Sequence, residues 1–199
     1  VAPSSVMGAT KRLSEQILQG HAIGDVSTRF ITVRFGNVLG SSGSVVPIFQ
    51  RQIELGGPVT VTDEKATRFF MSIPEAAGVV LHSAAIGKNR DRFILEMGEA
   101  VGIMDLAKQM IRLNGFEVGE DIKIQCTGLK DGEKLHEKLH AIEEKLTDTA
   151  HPKIKRIQGS ELTVERWQSL ALALQEVSKL DDTTALNWLR KVLPDFRPE

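Results

Sequence analysis

The stretch RFITVRFGNVLGSSGSVVPIFQRQIEL, residues 29–55, contains in one place the pattern that decides the fold class. Its first part, RFITVRF, is rich in β-branched and aromatic residues, which predicts a strand. The run GNVLGSSGS predicts a loop, because glycine and serine favour turns. The last part, VVPIFQRQIEL (45–55), predicts a helix with Pro47 in its first turn, where the missing N–H costs little. A strand joined by a loop to a helix indicates an α/β protein.

The same alternation is predicted along the rest of the chain. The capping-box sequence SIPE (72–75) starts a helix that is expected to end at about Ala85. A helix is also expected from Ser4 or Ser5 to about Gln19. The other predicted helices cover 103–113, 133–140, 161–178 and 182–192, and the other predicted strands cover 58–63, 92–97 and 121–126.

Composition restricts the possible partners. The chain has 199 residues, 41% of them hydrophobic and 26% charged, which is ordinary for a globular protein. Its net charge of −1 gives no bulk attraction to nucleic acid or to an anionic membrane, and we expect neither as a partner of this segment. Cys126 has no second cysteine for a disulfide, which favours a reducing compartment. The chain begins at Val1 directly before a predicted helix, so we expect it to be part of a longer protein.

Met7 and Lys11 lie four residues apart on the first predicted helix and therefore share one face. Either Met7 belongs to the core while Lys11 reaches solvent, or both side chains line a site. The first alternative is the more common one, because methionine usually fills cores and the lysine ammonium usually stays in water.

The loop after the first predicted strand carries Asn37. Ligand sites in open α/β sheets lie beyond the carboxyl ends of strands, so Asn37 is placed to hydrogen-bond a polar ligand.

Two charged segments offer further candidates. Arg68 precedes two phenylalanines, and its guanidinium could clamp a phosphate or form a surface ion pair with Asp63 or Glu64. The sequence leaves these alternatives equal. Lys130 and Glu133 favour a solvated turn before a helix. His136 and His140 have the spacing of two zinc ligands, but no third ligand is apparent, so we expect an amphipathic helix face and no metal.

Four segments resemble, in order and spacing, the C-terminal half of the bacterial nucleotide-sugar 4,6-dehydratases of polysaccharide biosynthesis. These enzymes belong to the extended short-chain dehydrogenase/reductase superfamily, and UDP-N-acetylglucosamine 4,6-dehydratase is their best-known activity. The segments are VMGATKR, RFGNVLGSSGSVVPIF, TRFFMSIPEA and GLKDGEKLHEKL.

The resemblance implies an α/β fold with a Rossmann-like domain and a smaller nucleotide-sugar domain. All of 1–199 would belong to the C-terminal half: residues 1–40 would end the Rossmann portion, and 41–199 would be mainly substrate-binding, with returning Rossmann elements. It also implies NAD or NADP as cofactor, a UDP-sugar as substrate and a homo-oligomer at full length. We expect a cytoplasmic protein, anchored at full length to the inner membrane by a preceding region.

Site residues are implied by the same match. Lys11 corresponds to the lysine of the superfamily's Tyr-x-x-x-Lys pattern, which holds the nicotinamide ribose, and Met7 replaces the tyrosine. Because a thioether has no exchangeable proton, Met7 cannot act as acid or base. The resemblance implies the subgroup of these dehydratases that carries Met-x-x-x-Lys, in which proton transfer falls to an Asp-Lys pair that would lie upstream of Val1. The remaining residues would contact cofactor (Phe35, Asn37, Val38) or sugar nucleotide (Asn37, Val46, Pro47, Thr60, Thr62, Arg68, Lys130, Glu133). Lys130 occupies the position at which the family usually has arginine. A lysine ammonium cannot form the two parallel hydrogen bonds that a guanidinium makes to an anion.

The implied activity is an internal redox cycle that converts a UDP-N-acetylhexosamine to a 4-keto-6-deoxy sugar. No G-x-G-x-x-G loop for a pyrophosphate is found after a strand, so we expect this chain to be inactive by itself. Two alternatives stay open: a nucleotide-sugar 4-epimerase of the same superfamily, and a non-catalytic module that binds nucleotide-sugars.

Overall fold

A computed structural model describes residues 3–24, 26–159, 161–177 and 179–197. Its helices are α1 (Val6–His21), α2 (Val45–Glu54), α3 (Ile73–Ile86), α4 (Ile103–Leu113), α5 (Val164–Val177) and α6 (Asp182–Val192). Its strands are β1 (Thr32–Arg34), β2 (Asn37–Val38), β3 (Val59–Val61), β4 (Thr67–Arg68), β5 (Phe70–Met71), β6 (Arg92–Leu95), β7 (Val101–Gly102), β8 (Ile124–Cys126), β9 (Lys145–Thr147) and β10 (Ile154–Gln158). The alternation confirms the predicted α/β class.

Local signals set the helix starts as predicted. The Ser5 hydroxyl accepts a hydrogen bond from the Gly8 backbone N–H at 3.1 Å and caps α1. At α3, the Ser72 N–H donates to the Glu75 carboxylate at 2.7 Å, and the Glu75 N–H donates to the Ser72 hydroxyl at 3.3 Å. This reciprocal pair confirms the capping box.

The chain divides into two compact units. Unit 1 comprises the described parts of Val1–Arg34, His82–Leu95 and Lys138–Glu199, and unit 2 comprises Phe35–Leu81 and Glu96–Glu137. Neither unit is continuous in sequence. The predicted boundary at residue 40 remains a prediction.

Unit 1 contains a four-stranded sheet in the order β1-β6-β10-β9. β1 runs parallel to β6, while β10 is antiparallel to both β6 and β9. Beside the sheet, α1 packs against α5 through a close approach, because a Cβ on Gly20 would lie 2.1 Å from the Trp167 ring. Only glycine fits at that position without displacing the indole. The helical core of unit 1 consists of Ala9, Leu13, Leu170, Leu189, Leu193 and Phe196.

Unit 2 is built on paired short strands. β3 runs parallel to β8, β2 runs parallel to β5, and β4 is antiparallel to β7. Helices α2 and α4 cover β3 with an apolar core that includes Phe49, Ile53, Val59, Val61, Ala107, Ile111 and Ile122. This core supports β3 and the turn that follows it.

The helix predicted over 133–140 is wrong. This segment runs beside β4 in an extended path: the Thr67 N–H donates to the Leu135 carbonyl at 3.1 Å, and Thr67 bridges to His136. Pairing with a distant strand overrides the local helical pattern. The first predicted strand is confirmed in a shorter form, since only Thr32–Arg34 pairs with a neighbour.

None of the helices in the described ranges combines the length and apolar character that crossing a bilayer requires.

Candidate functional site

Helix α1 presents Met7 and Lys11 to solvent. Met7 is 69% exposed, so the reading that placed it in the core is wrong. Lys11 is also exposed, and within the described ranges its ammonium has no hydrogen bond or ion pair. The acid one turn further, Glu15, is bound instead by Arg34 and Arg12. The Lys11 ammonium is therefore available to a ligand.

A buried charge network ties α1 to the sheet of unit 1. Arg34 binds both oxygens of Glu15, with Nη2 at 2.7 Å from Oε2, and its Nη1 binds Glu144 at 2.8 Å. Arg92 donates to Glu144 at 3.0 Å. Glu144 is only 9% exposed and also accepts from the Ala141 N–H. Sequence reasoning missed this network, because its members are far apart in the chain.

The network shifts the pKa of both acids. Burial by itself would raise the pKa of Glu15, but the hydrogen bonds and charges of Arg34 and Arg12 outweigh it, and the net pKa lies below the usual range. Burial likewise opposes ionisation of Glu144, and its pKa is nevertheless lowered by Arg34, the Ala141 N–H and Arg92. Both groups are carboxylates near neutral pH.

These lowered pKa values predict that the free energy of unfolding falls in acid. A carboxyl group whose folded-state pKa is depressed contributes stability above its ordinary pKa, 4.5 for glutamate, and loses it as pH falls through the folded value. We expect urea midpoints to change little from pH 7 to pH 5 and to drop steeply below pH 4.5. Glu15→Gln should reduce this slope, and an equal slope in the variant would contradict the assignment. Glu143→Gln, which removes an exposed acid of unit 1, is the control.

The loop that begins unit 2 holds Asn37 at the start of β2. Its backbone N–H donates to the Phe69 carbonyl at 2.7 Å, and a Cβ on the preceding Gly36 would lie 2.7 Å from Phe69 atoms, so glycine is required there. Within the described ranges the half-buried Asn37 side chain makes no hydrogen bond. Its amide remains available, as the position after a strand predicts. Phe35 and Val38 are half-buried beside it in sequence.

Other predicted contact residues are partly committed to the protein itself. Val46 packs against the core of unit 2, whereas Pro47 is exposed at the start of α2. Gln52 binds Thr60 twice: its amide N–H donates to the Thr60 hydroxyl at 2.7 Å, and its carbonyl accepts the Thr60 N–H at 3.0 Å. Thr60 is thus held rigidly by α2.

Arg68 forms the centre of a charged cluster, but neither Asp63 nor Glu64 is its partner. Its guanidinium, 13% exposed, pairs with Glu133 at 3.3 Å and with Glu137 at 3.5 Å. The alternative of a surface pair with the nearby acids is therefore wrong about the partners. The actual partners, Glu133 and Glu137, lie more than 60 residues further along the chain and reach Arg68 because 133–137 runs beside β4.

Thr62 and Lys130 complete the surroundings of Glu133. The Thr62 hydroxyl donates to Glu133 Oε1 at 2.8 Å, and the backbone N–H of Lys130 donates to Oε2 at 3.2 Å. The Glu133 N–H closes the turn onto the Lys130 carbonyl at 2.8 Å. This confirms the predicted turn, although no helix follows it. The Lys130 side chain is exposed, and its ammonium makes no ion pair within the part of the chain that the structure describes.

The structure therefore gathers Thr62, Arg68, Glu133 and Glu137 into one group, the Arg68 cluster. Glu137 was not predicted, although it lies four residues after Glu133 in the same segment. Burial raises its pKa, and the charges of Arg68 and Lys134 offset only part of that effect. Such a cluster offers a cation held by the protein and one weakly held acid, Glu137, which suits exchange with an anionic ligand. Met7 and Lys11 belong to unit 1, and the other predicted site residues belong to unit 2.

The two histidines considered as zinc ligands have separate local partners. His136 Nδ1 lies 2.9 Å from the Thr67 hydroxyl, and His140 Nδ1 lies 3.0 Å from the Ala141 carbonyl. Among the described residues, no three or more histidine, cysteine or acidic side chains are arranged to hold a metal ion.

Known proteins share much of this sequence. Residues 1–159 match the family described as polysaccharide biosynthesis protein. The chain is 52% identical over 155 residues to the probable polysaccharide biosynthesis protein EpsC of Bacillus subtilis, covering 77% of this chain and 25% of that protein. It is 31% identical over 201 residues to a UDP-glucose 4-epimerase of Rickettsia canadensis, covering 99% of this chain and 57% of that one.

Two solved structures share the fold. The structure of Pen from Bacillus thuringiensis matches with a TM-score of 0.69 at 31% identity, covering 86% of this chain and 58% of that one. A dTDP-glucose 4,6-dehydratase from Bacillus anthracis, solved with NAD, matches with a TM-score of 0.57 at 14% identity, covering 70% and 44%. The chain thus spans between about a quarter and somewhat over half of the proteins that it matches here. By sequence over most of its length, it belongs to the polysaccharide biosynthesis protein family.

Proposed function

We propose that the protein carrying this chain is an NAD(P)-dependent nucleotide-sugar 4,6-dehydratase that converts a UDP-N-acetylhexosamine to a 4-keto-6-deoxy sugar for surface polysaccharide synthesis. The observation that carries the proposal is the exposed face of α1. There the Lys11 ammonium, which has no partner among the described residues, stands one turn from Met7, a side chain that cannot exchange a proton. This is the Met-x-x-x-Lys pattern of the enzymes that the sequence resembles.

The resemblance assigns dinucleotide contacts to residues of both units, and each unit is considered by itself. Lys11 is free to donate to ribose hydroxyls, and the unbonded Asn37 amide can donate to, or accept from, a polar group of the cofactor or the sugar. Phe35 and Val38 provide half-buried apolar surface near Asn37 in sequence. NAD or NADP, when bound, supplies the acceptance and return of a hydride. Each residue is proposed to hold the group that it contacts, and neither is proposed to move a proton.

The Arg68 cluster is the proposed diphosphate and ribose site. Arg68 and the exposed Lys130 supply positive charge, and Glu133 accepts hydrogen bonds from Thr62 as it would from a ribose hydroxyl. The Thr60 hydroxyl and N–H are already bonded to Gln52, so we assign Thr60, with Val46 and Pro47, to framing the ligand. We retain 1–40 as the end of the Rossmann portion and 41–199 as mainly substrate-binding.

A second candidate is a UDP-sugar 4-epimerase. It is supported by the Rickettsia epimerase, which aligns with 99% of this chain. Both reactions begin by oxidation at C4, so binding experiments do not separate them. Their products differ in mass, because dehydration removes one water and epimerisation removes nothing.

The experiment uses the product of the complete gene. It is incubated with UDP-N-acetylglucosamine and either NAD or NADP, and the nucleotide-sugar is analysed by mass spectrometry and by chromatography of its epimers. We expect a product lighter by one water. A product of unchanged mass and altered C4 configuration would establish the epimerase instead. An unchanged substrate, with bound dinucleotide demonstrated, would overturn both.

Lys11→Ala in that protein should weaken dinucleotide binding by about tenfold, the effect of losing one charge-assisted hydrogen bond. Met7→Leu should change it by less than about twofold, because the volume is nearly conserved and no donor is lost. Titration of NAD and NADP, followed by fluorescence or calorimetry, measures both variants. Equal losses in the two would show that Met7 has an active role and would contradict the assignment.

A further inference from the structure

The guanidinium of Arg68 is anchored on one side by the backbone. Its Nη1 donates to the Thr67 carbonyl at 2.8 Å and to the Leu135 carbonyl at 3.1 Å. These bonds do not depend on any carboxylate. The position of the cation is therefore set by β4 and the 133–137 segment, whatever occupies its other edge.

That other edge, Nε and Nη2, is divided between two acids. Nη2 lies 3.3 Å from Glu133 and Nε lies 3.5 Å from Glu137, whereas charge-assisted hydrogen bonds are usually about 2.7–2.9 Å long. Arg34 shows the ordinary arrangement. Its Nε and Nη2 donate to the two carboxylate oxygens of Glu15, with Nη2 at 2.7 Å from Oε2. One anion with two suitably spaced oxygens would satisfy Arg68 better than its present partners do.

The two acids are not equally held. Glu133 is fixed by the Thr62 hydroxyl at 2.8 Å and by the Lys130 N–H at 3.2 Å. For Glu137, Arg68 is the only ion-pair partner within the described ranges, and no hydrogen bond to its carboxylate is found there. Burial raises its pKa more than the charges of Arg68 and Lys134 lower it. Glu137 is the acid that can leave at the smaller cost.

We propose that Glu137 is a resident counter-ion of Arg68 and that the diphosphate of a nucleotide-sugar displaces it on binding. This inference rests on the proposed function and adds a determinant of its ligand affinity. The displaced carboxylate is left near two phosphate charges, which favours its protonated form. Binding is therefore coupled to uptake of a proton from solvent. Within the described ranges, Arg68 and Lys134 are the charges that act on Glu137, Glu133 shares Arg68 with it, and His136 and Lys138 flank it in sequence.

The experiment titrates the 199-residue chain with UDP-N-acetylglucosamine by calorimetry, in buffers of different ionisation enthalpy. This ligand is chosen because its diphosphate is esterified at both ends and does not titrate between pH 5 and pH 8. The variants are Glu137→Gln and the control Glu120→Gln, which removes an equal charge from an exposed position of unit 2. Parallel titrations with NAD distinguish the diphosphate of the sugar nucleotide from that of a dinucleotide. Circular dichroism and thermal melting check that each variant is folded.

We expect Glu137→Gln to bind UDP-N-acetylglucosamine about three- to tenfold more tightly than wild type at pH 7.5, as removal of a partly exposed competing charge allows. Glu120→Gln should match wild type. Wild-type affinity should rise as pH falls to 5.5, with measurable proton uptake. Glu137→Gln should lose most of this proton uptake, because the displaced carboxyl group is no longer present. If Glu137→Gln binds measurably and wild type binds too weakly to measure, that result also supports competition between Glu137 and the ligand.

Other outcomes contradict the proposal in distinguishable ways. If wild type binds and a folded Glu137→Gln variant binds no more tightly, or takes up as many protons, the counter-ion role is wrong and the proposed substrate stands. If only NAD shows the effect of the variant, the displacing ligand is misassigned. If no folded variant binds UDP-N-acetylglucosamine, the inference and the proposed substrate of this chain both fail.

Discussion

Arg34→Met is expected to lower the free energy of unfolding by about 3–5 kcal/mol, the usual cost of leaving a buried charge without its partner. Arg34 neutralises Glu15 and Glu144 at once, and Glu144 is almost fully buried. Removing the guanidinium leaves two inward-facing carboxylates, for which Arg12 and Arg92 are the remaining ion-pair partners among the described residues. Urea unfolding at pH 7, followed by circular dichroism, measures the change.

Arg112→Met is the matched control, because Arg112 is exposed at the end of α4 and the structure gives it no ion pair in the described ranges. Its effect should stay within about 0.5 kcal/mol. A loss below about 1 kcal/mol for Arg34→Met would mean that solvent screens the network. We also expect the variant to be relatively less destabilised at pH 4, where protonation begins to neutralise the two acids.

Arg68→Ala should weaken binding of UDP-N-acetylglucosamine by about 1.5–3 kcal/mol, or roughly 10- to 150-fold, the range for a hydrogen bond to a charged group. The variant also removes the bonds that Arg68 makes to the Thr67 and Leu135 carbonyls. Loss of the guanidinium removes positive charge from the proposed diphosphate site. Loss of its two bonds to carbonyl groups also removes contacts that hold the 133–137 segment beside β4. Calorimetric titration of the chain measures the affinity.

Arg68→Lys separates the two contributions. Lysine keeps the charge but cannot reach two carbonyls and an anion at the same time, so we expect an intermediate affinity. Lys130→Ala should weaken binding less, because its exposed ammonium is strongly hydrated and mobile. Unchanged affinity in a folded Arg68→Ala variant would remove Arg68 from the ligand site, and the 133–137 segment would then be held for structural reasons alone.

Much of the secondary structure was predictable because its causes are local. Ser5 and the pair Ser72 and Glu75 act on N–H groups within one helical turn, so they mark helix starts in any context. The apolar spacing of 103–113 predicted α4 over the same range. The turn at Lys130 and Glu133 is also local, since it closes over three residues.

The candidate site was predictable in its residue types but not in its contacts. Asn37 and Arg68 were singled out from their positions after a strand and before two phenylalanines. Nothing local indicated that Gln52 would saturate Thr60, or that Glu137 would share the edge of Arg68 with Glu133. The sequence predicted a turn at Lys130 and Glu133 and a helix over 133–140, and neither local pattern indicates contact with a strand 65 residues earlier.

The sequence by itself determined the α/β class, the starts of α1 and α3, the turn after β8 and, through ordered motifs, the family. Tertiary structure alone decided which charges meet. Arg68 reaches Glu133 across 65 residues, and Arg34 reaches Glu144 across 110. Propensity acts over a few residues, whereas these pairs exist because distant segments are brought together by strand pairing and by burial of apolar faces. The energy of each pair depends on the burial that those contacts create, which no local pattern encodes.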